Sequence, residues 1–404
     1  MTFENREAQT AFPATELPGE PRDTWTAPPT VMILGGVAES LWNFRGPLIE
    51  RLAAENVRVA AAAGQMNHDH KKRIEALGAT VIEVPVERTG TNPFADLKLL
   101  LSLIGTMRQE RPDVFLGYTV KPVVFGTIAA RLTGVRHRVA MIEGLGFAFN
   151  ESPEAASTVG KVVRALYRFA LRFANKVVFL NEDDRSQFVS QGYVTEQQAV
   201  LIDGTGVNIE KFQLEPLPPD GPFTFGLIAR LIYEKGLRIY VDAARIVRQA
   251  YPDTRFLLAG PFEPGPGGAT QEEVESWSDV VDYVGTISDV PGFLRACHVF
   301  VLPSYYREGV PRTILEAMSM GRPVIVSDGP GCRVTVQESY GNGLLVQPRD
   351  SEELADAMVW AIENRDSLEK MGRSGRQLVL DRFEEQRVTE ALVEKAHLIP
   401  SRKS

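Results

Sequence analysis

The chain alternates between short apolar runs and longer stretches whose apolar residues recur every three or four positions. "TVMILGG" (30–36) is a compact apolar run ending in Gly35-Gly36, and "LWNFRGPLIERLAAEN" (41–56) after it has helical spacing. The same reading makes strands of "VRVAAAAG", "ATVIEVPV", "PDVFLGY", "HRVAMIEG" and "KVVFLN". It makes helices of "DLKLLLSLIGTMRQE", "VVFGTIAARLTG" and "GKVVRALYRFALRFAN". Strands that are apolar throughout, separated by helices, predict a parallel sheet covered on both faces.

The alternation stops near residue 212. "QLEPLPPDGP" (213–222) holds four prolines and a glycine and reads as a linker. It then restarts with strands "FTFGLIA", "RFLLAG", "VVDYVG", "HVFVLPS", "RPVIVSD" and "GLLVQP" among helices "GLRIYVDAARIVRQAY", "VPGFLRAC" and "PRTILEAMSM". Three helical stretches follow, from about Ser351 to His397. The expected architecture is α/β: two Rossmann-like, doubly wound domains facing a cleft. The boundaries are a tail over 1–28, an N-terminal domain over 29–212, the linker, a C-terminal domain over 223–380, and a last segment over 381–404 packing back on the first domain. Ligands of such sheets bind beyond the C-terminal strand ends, so chemistry is sought just after strands.

Composition narrows the class. The 404 residues carry a formal charge of -8, which argues against a nucleic-acid binder. Two cysteines, Cys297 and Cys332, suggest neither a disulfide framework nor a metal cluster. No apolar run approaches the ~18 residues that span a bilayer. The first 28 residues, rich in Pro, Glu and Thr, read as disordered and lack the pattern of a signal peptide.

Three post-strand segments carry candidate chemistry. In "FGLIARLIYEKGL", Arg230 follows a strand and Lys235-Gly236 precedes a helix. Two cations at a helix mouth suit a diphosphate, and ordinary turn chemistry explains them equally well. In "VLPSYYREGVPRTILEAM", the helix begins near Pro311, and Gly309 and Val310 offer backbone N–H groups at its mouth. Glu308 on the loop can reach hydroxyls in the cleft, and Glu316 inside the helix suits a pair of ribose hydroxyls. The alternatives are that Glu308 caps the helix and Glu316 makes a structural ion pair. Gly35-Gly36 is the third segment, a tight turn that carries little on its own.

Arg230 and Lys235-Gly, the spacing of Glu308 and Glu316, "VLPS", "GRPVIVSD" and "NGLLV" together resemble the retaining family 4 glycosyltransferases of the GT-B fold. The resemblance runs from about residue 30 to the end. It implies that Arg230 and Lys235 hold the donor diphosphate, that Glu308 touches donor-sugar hydroxyls, and that Glu316 takes the ribose. It puts Thr286 and Ile287 beside the nucleobase, and Gly35, Gly36, Gly309, Val310 and Pro311 in the donor site.

The N-terminal stretches "FLGYTVKPVVFGTIAARLTGV", "EGLGFAF" and "FLNEDDRSQF" resemble the branch acting on polyprenyl-diphosphate-linked acceptors in bacterial polysaccharide assembly. Tyr118 stands where many members have a histidine, so no histidine-based role transfers. Tyr118, Lys121 and Arg45 are acceptor-site candidates, with a surface cation the alternative for Arg45 and Lys121. The acidic run 182–184 is expected to cap a helix starting near Arg185. "HDHKKR" (68–73) is read as solvated.

Residues 30–200 hold 20 Lys and Arg against 17 Asp and Glu, so the acceptor half is the basic one. Lys161, Arg164, Arg168, Arg172 and Lys176 recur there at helical spacing, as a membrane-facing stripe or a plain solvated face. Lys71, Lys72 and Arg73 are the second candidates. The expected protein is a cytoplasmic, membrane-peripheral enzyme at the inner face of the cytoplasmic membrane. It takes a nucleotide-sugar donor and a lipid-linked saccharide acceptor, with no cofactor, metal or nucleic acid. The rivals are a transferase acting on a soluble acceptor, a sugar-nucleotide epimerase, and a protein that only binds nucleotide sugar.

Overall fold

The computed structural model describes residues 28–87, 92–145, 149, 157–219, 221–265 and 267–399. All but one residue of the expected tail therefore lies outside the described residues.

The N-terminal half is built on seven parallel strands: β1 (Thr30–Leu34), β2 (Arg58–Ala63), β3 (Ala79–Glu83), β4 (Val114–Tyr118), β5 (His137–Ile142), β6 (Lys176–Phe179) and β7 (Ala199–Leu201). Their order is 3-2-1-4-5-6-7. β1 is buried along its whole length because both faces are covered. Val31 and Ile33 join one core with Leu41 and Leu48, while Met32 and Leu34 join the opposite core with Leu99 and Leu103. That two-sided burial is why the strand reads as continuously apolar.

The helices of this half are α1 (Glu39–Asn43), α2 (Gly46–Ala54), α3 (His68–Ala76), α4 (Pro93–Glu110), α5 (Thr127–Leu132), α6 (Thr158–Leu171) and α7 (Glu182–Ser190). A π-helical turn over Pro122–Gly126 leads into α5. The single helix expected over 41–56 is broken at Phe44-Arg45, because Pro47 sits in the first turn of α2, where its missing N–H costs nothing. The acidic run 182–184 forms the first turn of α7 rather than preceding a helix at Arg185. The cap is Asn181, whose side chain accepts from the Asp184 N–H at 2.9 Å, and the three acids favour the positive end of the helix.

The C-terminal half has six parallel strands, β8 (Thr224–Ile228), β9 (Arg255–Ala259), β10 (Asp282–Tyr283), β11 (Val299–Leu302), β12 (Val324–Ser327) and β13 (Gly343–Val346), in the order 10-9-8-11-12-13. Its helices are α8 (Leu237–Ala250), α9 (Gln271–Glu275), α10 (Val290–Arg295), α11 (Arg312–Ser319), α12 (Ser351–Glu363) and α13 (Arg365–Leu378). A π turn over Val379–Phe383 leads to α14 (Glu385–Lys395).

Between the halves, the Pro-rich segment is pinned by buried Arg322, which donates to Glu215 O and Pro216 O at 2.8 Å each and to Cys297 O at 3.2 Å. α14 lies against α2, with Arg51 2.5 Å from Glu390, and His137 Nε2 meets Ala396 O at 2.7 Å. The order in which strands are added reverses once in each sheet, between β1 and β4 and between β8 and β11. The segments after those four strands border the two crevices, and they carry most of the candidate residues. Among the described residues, no helix is long and apolar enough to cross a membrane.

Candidate active site

After β8 the chain makes one 3-10 turn, Tyr233–Lys235, and enters α8 through Gly236 at φ +80°. A Cβ on Gly236 would lie 2.1 Å from Pro303 O, so only glycine lets this turn press against the end of β11. The turn brings Lys235 to the loop after β11. There Lys235 Nζ stands 2.5 Å from Glu308 Oε1, and the Ser304 hydroxyl donates to the same oxygen at 2.8 Å. Ser327 at the end of β12 donates to Ser304 O and fixes the turn from behind. Lys235 and Glu308 are both largely withdrawn from water.

The two expected phosphate cations part company here. Arg230 pairs with Glu263 at 3.2 Å, with about a third of its side chain exposed (33%). Glu308 does not cap α11: the cap is Pro311, whose backbone is extended and which has no side-chain cap bond, and the helix starts at Arg312.

Gly309 and Val310 lie where the halves meet. A Cβ on Gly309 would be 2.1 Å from Glu143 O, and one on Gly144 would be 2.8 Å from Gly309 N. Asn181 Nδ2 donates to Gly309 O at 2.9 Å. Among the described residues, neither the Gly309 nor the Val310 N–H donates a hydrogen bond. Two such groups at the mouth of α11 can receive an anion.

Glu316 is buried on α11 with Arg312 Nε at 3.3 Å, so the alternative of an ion pair is met in this structure. Burial pushes its carboxyl up to about 7, against the pull of Arg312 and then Lys211. Arg312 does more than partner it. It approaches Glu385 of α14 at 3.8 Å, donates to Asn43 O of the other half, and lies 5.2 Å over the Phe44 ring. Its four-residue spacing from Glu316 was a visible signal that sequence reasoning passed over.

On the facing half, Gly35 turns directly over Tyr118: a Cβ there would be 2.3 Å from the Tyr118 hydroxyl. Tyr118 is fully buried and shares a 2.7 Å hydrogen bond with Ser40 Oγ, and burial raises its hydroxyl pKa. Gly36 rests on Thr119. Arg45 is not a surface cation. The break between α1 and α2 turns it inward, where it is 2% exposed, pairs with Glu143 and stacks 4.5 Å over the Tyr118 ring. Lys121 pairs with Asp96 at 2.8 Å and is likewise mostly covered.

Thr286 is exposed and Ile287 half-buried just after β10. Of the expected basic stripe, Lys161, Arg168 and Arg172 are exposed and Arg164 is half-buried. Lys176 does not belong to the stripe: it opens β6 and donates to Gln197 O at 3.0 Å. Arg168 lies 4.7 Å over Tyr193 and donates to Gln191 O. Of the second candidates, Lys71 is half-buried and pairs with Glu83 at 3.1 Å, and Arg73 is exposed and pairs with Asp69 at 2.9 Å. His70 completes a capping box with Asn67 and lies 3.1 Å from Glu39.

One cross-half contact was not anticipated. Arg307, next to Glu308, reaches Asp184 of α7 at 2.7 Å, and burial raises the Asp184 pKa against that pull. The loop that carries Glu308 is thus held by Asn181, Asp184 and Glu143 of the opposite half.

Residues 208–378 match the family "Glycosyl transferases group 1", and residues 42–204 match the "Glycosyl transferase 4-like domain". The chain is 27% identical over 343 residues to the N,N'-diacetylbacillosaminyl-diphospho-undecaprenol alpha-1,3-N-acetylgalactosaminyltransferase of Campylobacter jejuni, covering 82% of this chain and 89% of the relative. It is 28% identical over 317 residues to the UDP-Gal:alpha-D-GlcNAc-diphosphoundecaprenol alpha-1,3-galactosyltransferase of Escherichia coli, covering 74% and 79%. Among solved structures, Anabaena HepE in complex with UDP superposes with a TM-score of 0.72 at 21% identity, covering 92% of this chain and all (100%) of that one. With both halves matched in order on two facing parallel sheets, the chain belongs to the glycosyltransferases of the GT-B fold, with a transferase 4-like half followed by a group 1 half.

Proposed function

We propose that the protein moves a sugar, with retention of anomeric configuration, from a UDP-sugar to a saccharide carried on a polyprenyl diphosphate. The observation that carries the reading is the Lys235–Glu308 pair at the mouth of α8, beside the backbone N–H groups of Gly309 and Val310, which donate to no described residue. The Campylobacter and Escherichia relatives are named for diphospho-undecaprenol acceptors, and the second for a UDP donor, which supports both substrate classes.

Lys235 and Glu308 neutralise each other. A bound donor takes both: its diphosphate draws Lys235, and its sugar hydroxyls donate hydrogen bonds to Glu308. Glu316, once ionised, accepts the ribose hydroxyls. The bond from the sugar's anomeric carbon to the diphosphate oxygen breaks, and the electron pair goes to the diphosphate. The acceptor hydroxyl bonds to the same face of that carbon and passes its proton to a diphosphate oxygen. Lys235, Arg230 and the two N–H groups stabilise the charge that develops on the leaving group. That set supplies the countercharge from the protein itself, so the reaction proceeds without a metal. Transfer takes place at the inner face of the cytoplasmic membrane, where such acceptors reside.

The test is incubation with a panel of radiolabelled nucleotide sugars and polyprenyl-diphosphate saccharides, with the anomer of the product read by NMR and a chelator arm included. Label in the lipid phase as the retained anomer, unaffected by chelator, is the expected result. Label only in water-soluble products, or no dependence on any acceptor, rejects the reading.

A further inference from the structure

α4 is apolar on both sides. Leu99, Leu103 and Met107 are buried against the sheet, while Phe94 (82% exposed), Leu97 (53%) and Leu101 (60%) face outward with Lys98 among them. Three large apolar side chains turned outward within the first nine residues of a helix are out of place against water alone. The flanking elements extend that surface. The π turn before α5 lies between α4 and α6, and Val159 and Val162 are exposed at the start of α6. Of the fifteen large apolar side chains exposed among the described residues, eight fall on or beside α4, α5 and α6. The clustering marks a docking surface rather than scattered exposure.

Its position is informative. Each helix of a parallel sheet carries the chain back to the start of the next strand, so its first turn lies at the strands' C-terminal edge. Phe94, Leu97 and Val162 are therefore at the cleft end, beside the segments that follow β1 and β4. Further along α4 the outward positions change to Gly105 and Arg108. Among the described residues in the first two turns of α4 and the first turn of α6, Lys98 and Lys161 are exposed, and the one acid, Asp96, is taken up by Lys121; Arg168 lies further along α6 and Arg172 at its C-terminal cap.

We propose that this end of the α4–α6 face enters the headgroup region of an anionic lipid bilayer, with Phe94, Leu97 and Leu101 in the acyl boundary and the lysines on the phosphates. Apolar insertion ringed by cations is the chemistry of an interfacial surface. The occupant is lipid, which does not need the shape complementarity of a second protein. The proposal builds on the lipid-linked acceptor reading, since it places the cleft mouth at the bilayer where such an acceptor's diphosphate lies.

The experiment uses the full chain with sucrose-loaded phosphatidylglycerol–phosphatidylcholine vesicles free of any acceptor. Wild type sediments with the vesicles, and F94S/L97S/L101S partitions at least about tenfold more weakly. As a second readout, the Phe94→Trp variant gives a blue-shifted emission on vesicle addition that wild type lacks. Equal partition of triple variant and wild type, or an emission of the Phe94→Trp variant indifferent to vesicles, overturns the proposal. A wild-type dimer in analytical ultracentrifugation that the triple substitution dissociates also overturns it, in favour of a second copy of the chain. In transfer assays the triple variant keeps its rate on a short-chain, water-soluble diphosphate saccharide and loses about tenfold on a vesicle-embedded acceptor. Failure of wild type to use either acceptor defeats the function but leaves the vesicle partition standing.

Discussion

Lys235 Nζ lies 2.5 Å from Glu308 Oε1, joining the segment after β8 to the segment after β11. Each group shields the other from the cost of being buried alone. The two glutamates have different partners, Lys235 for Glu308 and Arg312 for Glu316, and the proposed function gives them separable tasks.

Glu308→Gln is expected to leave the affinity for bare UDP unchanged or tighter, since Lys235 is released for the diphosphate, while transfer falls. Glu316→Gln weakens bare UDP by roughly tenfold, the worth of a hydrogen bond to a charged group. Calorimetry with UDP distinguishes them. Equal weakening in both variants contradicts this division.

The carboxyl of Glu316 is pushed up to about 7 by burial, so pH separates its two states near neutrality. If the ionised form holds the ribose, UDP affinity in the wild type falls as pH drops below about 7 and levels off above it. For stability the sign is opposite to that of an ordinary paired carboxylate. The folded protein holds this proton and the unfolded chain has released it from about pH 4.5 upward, so this group makes stability fall as pH rises towards 7. Glu316→Gln removes that slope. Parallel urea unfolding of the two proteins across pH 4–8 reads it, and identical slopes would show that Glu316 does not titrate there.

Arg312 is the residue that opposes this shift most strongly, and it also grips the other half through Asn43 O. Arg312→Ala is expected to move the pH profile of UDP binding upward and weaken binding at pH 7, with Arg312→Lys restoring part of both. A merely structural role would lower stability without moving the profile, and that result would remove Arg312 from the site.

Gly309 allows the Glu308 loop to touch the backbone of Glu143, where a Cβ would be only 2.1 Å from the carbonyl oxygen. Gly309→Ala must shift that contact and is expected to cost about 1–3 kcal/mol, as overpacking generally does. Equilibrium unfolding measures it. A change below about 0.5 kcal/mol, the range of ordinary surface substitutions, means the halves separate freely at this point.

Most strands were legible because burial on both faces demands apolar runs, and the switch points told where to look for Lys235 and Glu308; β7, three residues long with only Val200 fully covered, was not among those expected. What escaped the sequence depended on partners distant in the chain. Arg45 reads as a loop cation until Glu143 and Tyr118 come to it. Lys176 continues the helical spacing of α6 although the chain has already entered β6. Asp184 looked like a simple cap acid because Arg307, 123 residues on, is its partner. α4 hid its exposed face because a helix that is apolar on both sides has no period that separates inside from outside.

The account rests on Lys235 as a stabiliser of leaving-group charge, and turnover tests that most directly. Transfer of label from a UDP-sugar to a polyprenyl-diphosphate saccharide is to be measured for wild type and Lys235→Ala side by side, at saturating donor. A fall of roughly 100- to 1000-fold in turnover, with the fold intact by circular dichroism, is the result expected for a lost transition-state donor. Turnover within about threefold of wild type, where such a donor is worth at least about a hundredfold, would contradict the account.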